Sequence, residues 1–157
     1  MSSRDAVWLT QAIELAVHNV AEGGGPFGAV VVRGDLVIAR GANRVTRDLD
    51  PTAHAEVQAI RAACRQVGDF SLAGSTLYTS CEPCPMCVGA SLWARLDRVV
   101  YAADREDAAR GGFDDRWFYD LFAHERTTWP IRLEPLRLGA SLAPFEAWVA
   151  NADRIAY

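Results

Sequence analysis

His54, Cys84 and Cys87 constrain this 157-residue chain most tightly, because they form a mixed nitrogen and sulfur donor set drawn from two segments that the fold must bring together. Such a set suits zinc: three protein ligands leave the fourth tetrahedral position open to water, whereas four close the site. Cys84 and Cys87 stand one helical turn apart, so a helix beginning near Pro83 presents both sulfurs on one face. The dipole at its N-terminus favours the thiolate, the form that binds metal. His54 completes the count of three from another element. Glu56 follows at a predicted helix start, where a carboxylate beside the open water position can shuttle protons. Its competing reading is a first-turn acid placed for the helix dipole. Cys81 is evenly spaced with Cys84 and Cys87, and as a fourth ligand it would make the chain a zinc-stabilised structural module. It precedes the predicted helix, however, and a packed apolar thiol is the commoner fate of such a cysteine. Cys64 reads as core on the preceding helix.

Half of the residues are apolar and 23% are charged, which suits a single domain spanning 1–157 with a sizeable core. No stretch approaches the roughly 20 apolar residues that cross a bilayer, and the first residues lack a leader's apolar run, so the expected compartment is cytoplasmic. Three cysteines crowded into positions 81–87 make a poor disulfide framework and a good thiolate site. A net charge of −4 removes the general basis for gripping a phosphate backbone. No basic patch stands out, and Asp104-Arg105-Glu106-Asp107 reads as a solvated face. The expected partner is therefore a small neutral molecule rather than nucleic acid or membrane.

Apolar spacing predicts a first helix over 5–22, ended by Gly23-Gly24-Gly25-Pro26. That glycine run lacks the ending of a phosphate loop. Strands are predicted at 29–32 and 36–39 around a hairpin turn at Arg33-Gly34-Asp35. Asp50-Pro51-Thr52 supplies a turn and a candidate N-cap for a helix over 54–66. A strand at 76–80, a helix over 84–95 and a strand at 97–102 follow, then a strand near 131–136 and a helix over 143–153. The alternation is that of βαβ units, with both metal-bearing helix starts at one end of a sheet.

The chain resembles the cytidine-deaminase-like superfamily, whose zinc-dependent base deaminases carry the H-x-E and P-C-x-x-C pattern, and within it the bacterial guanine deaminases. Beyond the metal motif, the likeness runs through Pro26-Phe27-Gly28-Ala29-Val30, the segments 50–56 and 80–87, and Trp93-Ala94-Arg95. It continues through Gly112-Phe113-Asp114-Asp115 and Ala143-Pro144-Phe145-Glu146-Ala147-Trp148. The metal motif is shared with cytosine, cytidine and tRNA-adenosine deaminases and so marks the chemistry. The Phe-Asp-Asp segment and the C-terminal block point to guanine.

This resemblance implies an α/β fold of three α/β/α layers around a five-stranded mixed sheet, Zn2+ on His54, Cys84 and Cys87, and Glu56 as catalytic proton shuttle. It implies hydrolytic deamination of guanine to xanthine and ammonia, in a homodimer whose swapped C-terminal segment, ending at Tyr157, covers the partner's site. The competing reading of Phe145 and Trp148 is an amphipathic helix on its own core. Guanine donates from N1–H and its 2-amino group, so a carboxylate can accept both hydrogens. Asp115 is the first candidate, Asp114 the second, and Glu146 a further one; each has a competing reading as a capping or surface acid. Asn43 matches the position whose amide binds the purine, and Ala55 and Tyr157 are carried over as substrate-binding positions. Phe27 and Trp93 either flank the flat ring or pack in the core. Glu146 stands where relatives often have Gln or another polar residue, which leaves triazines such as ammeline, cytosine and nucleosides open beside guanine. The rival readings are a tRNA-adenosine deaminase and a non-enzymatic zinc module.

Overall fold

The computed structural model describes residues 3–157. Its backbone divides into two compact units, one reaching to Asp120 and the other Leu121–Tyr157. The first unit begins with α1 (Ser3–Ala21), β1 (Gly28–Arg33), β2 (Leu36–Ala42), a short α2 (Val45–Asp48) and α3 (Ala55–Val67). It continues through β3 (Ser75–Cys81), α4 (Pro85–Trp93), β4 (Arg98–Ala103) and α5 (Arg105–Arg110). The sheet order is β2-β1-β3-β4. β1 pairs antiparallel with both β2 and β3, while β3 and β4 are parallel and joined through α4.

The sheet is mixed, as expected, but the described residues give it four strands rather than five. The missing one is 131–136, which alternates apolar and charged residues yet carries no strand assignment. Alternation reports a pleated, two-sided surface; a strand also needs a neighbour for its N–H and C=O groups, and Pro135 removes one donor. α6 (Asp115–Ala123) runs across the boundary, and the second unit adds a 3-10 turn at Arg126–Thr128 and α7 (Ala143–Ala150). None of residues 121–157 is buried. No described helix is long and apolar enough to cross a membrane.

β1 is covered on both faces, and its alternation sorts the core into two layers. Ala29 and Val31 pack with Ala55, Ala59, Ile60 and Ala63 of α3 and with Leu77. Val30 and Val32 pack with Leu9 and Ala12 of α1 and with Tyr78. Two glycines set how closely the helices ride. A Cβ on Gly28 would meet Ala12 O at 2.4 Å, and one on Gly41 would meet Ala55 O at 2.3 Å and Ala59 N at 2.4 Å. The first turn of α3 therefore rests its backbone directly on β2, which fixes where His54 and Glu56 stand.

Candidate active site

Two helices start at residues with metal-binding side chains. His54 is the N-cap of α3 and Cys84 the N-cap of α4, both with extended backbone and neither with a side-chain capping bond. The helices were expected to start at these residues, with Pro83 opening the second. Instead Pro85 takes the first position of α4, where its fixed φ suits the helix and its missing N–H is not needed. Asp50 does not cap α3 either: its carboxylate accepts from Thr52 N at 2.8 Å and Thr52 Oγ1 at 2.7 Å. Imidazole and thiol are thus left to face each other.

His54 Nδ1 lies 3.6 Å from Cys84 Sγ and 3.5 Å from Cys87 Sγ, and the two sulfurs are 3.7 Å apart. Tetrahedral zinc, with bonds of about 2.3 Å to sulfur and about 2.0 Å to nitrogen, requires roughly 3.8 Å between sulfurs and roughly 3.5 Å between nitrogen and sulfur. The three donors already stand at that spacing, and the described residues hold them as one group positioned for a metal ion. Their charges point the same way. Two thiolates this close repel unless a cation lies between them. The hydrogen bond shared by the sulfurs draws Cys84 down to about 4, with His54 adding to the effect, while the same bond and burial hold Cys87 protonated. A dication at the three donors favours both thiolates. Cys81 differs: its buried Sγ sits 3.6 Å from Asp104 O, outside the group, and burial pushes its thiol up to about 12. The donor set is an open three.

Glu56 is 4% exposed. Its Oε1 accepts from Thr79 Oγ1 at 3.0 Å, and its Oε2 lies 3.4 Å from Cys87 Sγ. Burial raises its pKa above the usual carboxylate value. A carboxyl in that condition takes up and returns a proton more readily near neutrality. Thr79 was not anticipated; a buried hydroxyl on β3 carries no signal beyond the strand's own alternation.

The donors open onto a cavity of about 540 Å³ lined by His54, Glu56 and Cys84, the glycines 23–25, Phe27, Asn43, Phe113, Asp114, Asp115 and Phe118. Phe27 and Phe113 meet edge to face with centroids 4.8 Å apart. Asn43 is buried, and its Oδ1 accepts from Val45 N at 3.3 Å. Asp115, half-buried at the start of α6, is raised by burial and then by the neighbouring Cys84 charge. Ala55 is fully buried beneath the first turn of α3 and is not in the lining. Trp93 is not brought to the cavity: it is 64% exposed at the far end of α4, with Arg95 5.6 Å over its ring. The rise of a helix puts it roughly 13 Å along the axis from Cys84. Glu146 lies in the first turn of α7 and Tyr157 packs edge-on against Trp148, both within the second unit.

Sequence reasoning also missed a clamp on the metal loop. Glu82 accepts from Arg105 N at 3.0 Å, Nε at 3.1 Å and Nη2 at 2.5 Å. The same guanidinium lies 3.8 Å from the centre of the Tyr119 ring, and Tyr119 OH donates to Pro83 O at 2.7 Å. Glu82 and Pro83 are therefore tied to α5 and α6. Arg105 sits in the stretch read as a solvated face. The available signal was the spacing Asp104-x-x-Asp107: Asp104 accepts from Glu106 N at 2.9 Å and Asp107 N at 2.8 Å, closing a capping box.

Residues 2–103 match the cytidine and deoxycytidylate deaminase zinc-binding region. The chain belongs to this family of zinc-binding deaminases, and Zn2+ is the cofactor its three donors are placed to hold. Among characterised relatives, the guanine deaminase of Bacillus subtilis (strain 168) is 50% identical over 154 residues, 96% of this chain and 97% of its own. The crystal structure of guanine deaminase from Bacillus subtilis matches with a TM-score of 0.93 and 46% identity, covering 100% of this chain and 99% of that one. The fold is thus an α/β, cytidine-deaminase-like one. A tRNA-specific adenosine deaminase of Buchnera aphidicola subsp. Schizaphis graminum is 36% identical over 120 residues, 76% of this chain and 80% of its own.

Proposed function

We propose that this protein hydrolyses guanine to xanthine and ammonia, as a step of purine salvage or catabolism. One observation carries the reading: an open three-donor zinc set, Glu56 and Asp115 border the same cavity, in a chain 50% identical to a guanine deaminase over nearly its whole length. Zinc, when bound by His54, Cys84 and Cys87, supplies Lewis acidity and brings the pKa of its water toward neutrality. Glu56 carries a proton to N3 of the purine and then one to the departing 2-amino nitrogen. Thr79 anchors one of its oxygens, which leaves the other for transfer. Asp115, with Asp114 behind it, accepts from the N1–H and 2-amino edge, so a base without those donors would leave a half-buried acid unpaired. Asn43 supplies an amide to the ring, and Phe27 with Phe113 supplies an apolar wall.

In this reading both units serve one deaminase domain, acting in the cytoplasm as a homodimer whose C-terminal segments are swapped. Glu146 and Tyr157 would then act at the partner's site. The exposed Phe122, Ile131, Leu133, Leu138 and Phe145 support a second copy as their cover.

Guanine loss and ammonia release, measured on zinc-loaded protein, test the substrate directly. Inert guanine with fast turnover of ammeline, cytosine or a nucleoside would overturn the substrate and spare the mechanism. The tRNA-specific relative gives a second reading its footing, while the net charge of −4 opposes it. Retention of tRNA at moderate salt, with deamination of its adenosine, would favour that reading.

A further inference from the structure

A second concave site lies behind the glycine run. The C-terminal half of α1, the end of β2, the short α2 and one face of α3 border a half-open groove of about 320 Å³ that includes Arg40, Arg44, Arg47 and Arg65 with His18 and Glu22. Arg40, Arg44 and Arg47 fall within eight residues of sequence, interleaved with neutral ones, and folding adds Arg65 from α3. Their counter-charges fall short. Arg44 is held by Asp48 at 2.7 and 2.8 Å, and Arg47 by Glu22 at 3.0 Å. Arg40 bonds to the neutral amide of Gln11 at 3.0 Å, and Arg65 has no ion pair among the described residues. Four guanidinium charges against two carboxylates leave two positive charges facing a hollow, in a chain whose net charge is −4.

The inner wall of this groove is hydrogen-bonded to the wall of the catalytic cavity. Asn19 lines the groove and is 3% exposed. Its Oδ1 accepts from Arg47 Nη2 at 3.1 Å, and its Nδ2 donates to Gly25 O and Asn43 O, both at 2.8 Å. A Cβ on Gly24 would come within 2.4 Å of the Asn19 amide, and one on Gly25 within 3.0 Å of the Asn43 side chain. The glycine run is therefore seated between the two asparagines. Asn43 and the glycines line the catalytic cavity, so one buried amide joins Arg47 to the wall that faces the substrate.

We propose that this groove binds a small phosphate-bearing anion and that Asn19 couples its occupancy to affinity for the purine. Guanidinium forks pair with phosphate bidentately, and the hollow has room for a phosphate with a modest organic group. The basic residues gather around one half-open hollow with Glu22 and Asp48 as partners, rather than along the extended stripe that tracks a nucleic acid backbone. An anion that competes with Glu22 for Arg47 alters the bond from Arg47 to Asn19 and hence the placement of Asn43. By linkage, substrate must alter anion affinity to the same degree. The coupling rests on the guanine reading; the binding does not.

Calorimetry on the zinc-loaded full chain, titrated at low chloride with inorganic phosphate and separately with guanosine 5′-monophosphate, tests the site against Arg40→Ala/Arg65→Ala. Both substitutions are on exposed residues outside the catalytic machinery. Binding is expected to weaken at least about tenfold in the variant, the scale of one charged hydrogen bond, with zinc content unchanged. Tighter binding of the monophosphate than of phosphate would identify a nucleotide as the source. Saturating phosphate is expected to shift the wild-type KM for guanine at least about fivefold and to leave that of the variant alone. Equal binding by both proteins would place the anion elsewhere and overturn the site. Binding that is lost in the variant, with no KM shift in the wild type, would overturn the coupling. Absent phosphate binding, together with tRNA retention that the variant abolishes, would replace the small anion with RNA. A protein with no guanine turnover defeats the guanine reading, while the calorimetry still decides the groove.

Discussion

Helices α3 and α4 start in a way that α5 does not. Asp104 caps α5 by accepting from two backbone N–H groups, and Asp107 closes the box by accepting in return. His54 and Cys84 hold the same N-cap position in α3 and α4, and their side chains give the first turns nothing. An absent cap costs about 0.5–2 kcal/mol. The difference shows where this fold gives up helix stability for chemistry: side chains at the positions that would cap two helices are turned toward each other and toward Cys87. The support comes from neighbours instead. Gly41 lets the backbone of α3 settle on β2, Pro85 presets the first residue of α4, and Arg105, carried by the well-capped α5, grips Glu82 beside the metal loop.

The largest effect expected is on the chemistry that the two uncapped starts serve. Glu56→Gln should lower deamination by about 10²–10⁴-fold while zinc content and melting temperature stay near those of the wild type. Zinc lost together with activity would instead make Glu56 part of what holds the donors. The next effect belongs to the scaffold. In Gly41→Ala the new Cβ has only backbone to meet, so α3 must shift, and stability should fall by roughly 1–3 kcal/mol. His54 moves with α3, so zinc affinity should fall as well. Denaturation curves run beside a zinc titration measure both, and unaltered affinity in the folded variant would cut the link between Gly41 and the site. Asp115→Asn comes third. It should raise the KM for guanine roughly tenfold, the scale of one charge-assisted hydrogen bond, with zinc content unchanged. A KM that does not move would shift the specificity role to Asp114 or Glu146.

What was legible in the sequence follows from what each signal reports. His54, Cys84 and Cys87 could be read because a three-ligand zinc set demands those residue types at that spacing, whatever surrounds them, and Glu56 lies beside them because it follows His54 into the first turn of α3. The strands at 29–32 and 76–80 could be read because such runs have few other places to go than a buried pleat. The strand expected at 131–136 failed for the opposite reason: its alternation describes a surface, and the partner that would make it a strand is not written in it. Trp93 resembled a ring-flanking aromatic, but residue type does not say which end of a helix a side chain occupies. The Arg105 clamp was invisible because it is assembled from residues distant in the chain, and the arginine groove because spacing alone does not say that Arg40, Arg44 and Arg47 turn toward Arg65 across one hollow. Asp104-x-x-Asp107 is legible in principle as a capping box, but the same residues also suit a solvated run of charge.

The smallest effect expected is the most direct test of the comparison between helix starts. Asp104→Ala removes a cap that is in use, so it should cost about 1 kcal/mol whether or not zinc is present. Cys84→Ser does the reverse. Serine is among the better N-caps and a poor zinc ligand, so the variant should lose zinc and with it the stabilisation that metal gives the native state. Compared with wild-type protein stripped by a chelator, however, it should be as stable or up to about 1 kcal/mol more stable, because the hydroxyl is free to accept from the first turn of α4. Urea unfolding of both variants and the wild type, each with and without chelator, separates the two outcomes. If Cys84→Ser is less stable than chelator-treated wild type, the thiol holds α4 by packing, and the uncapped start is not a concession to the metal.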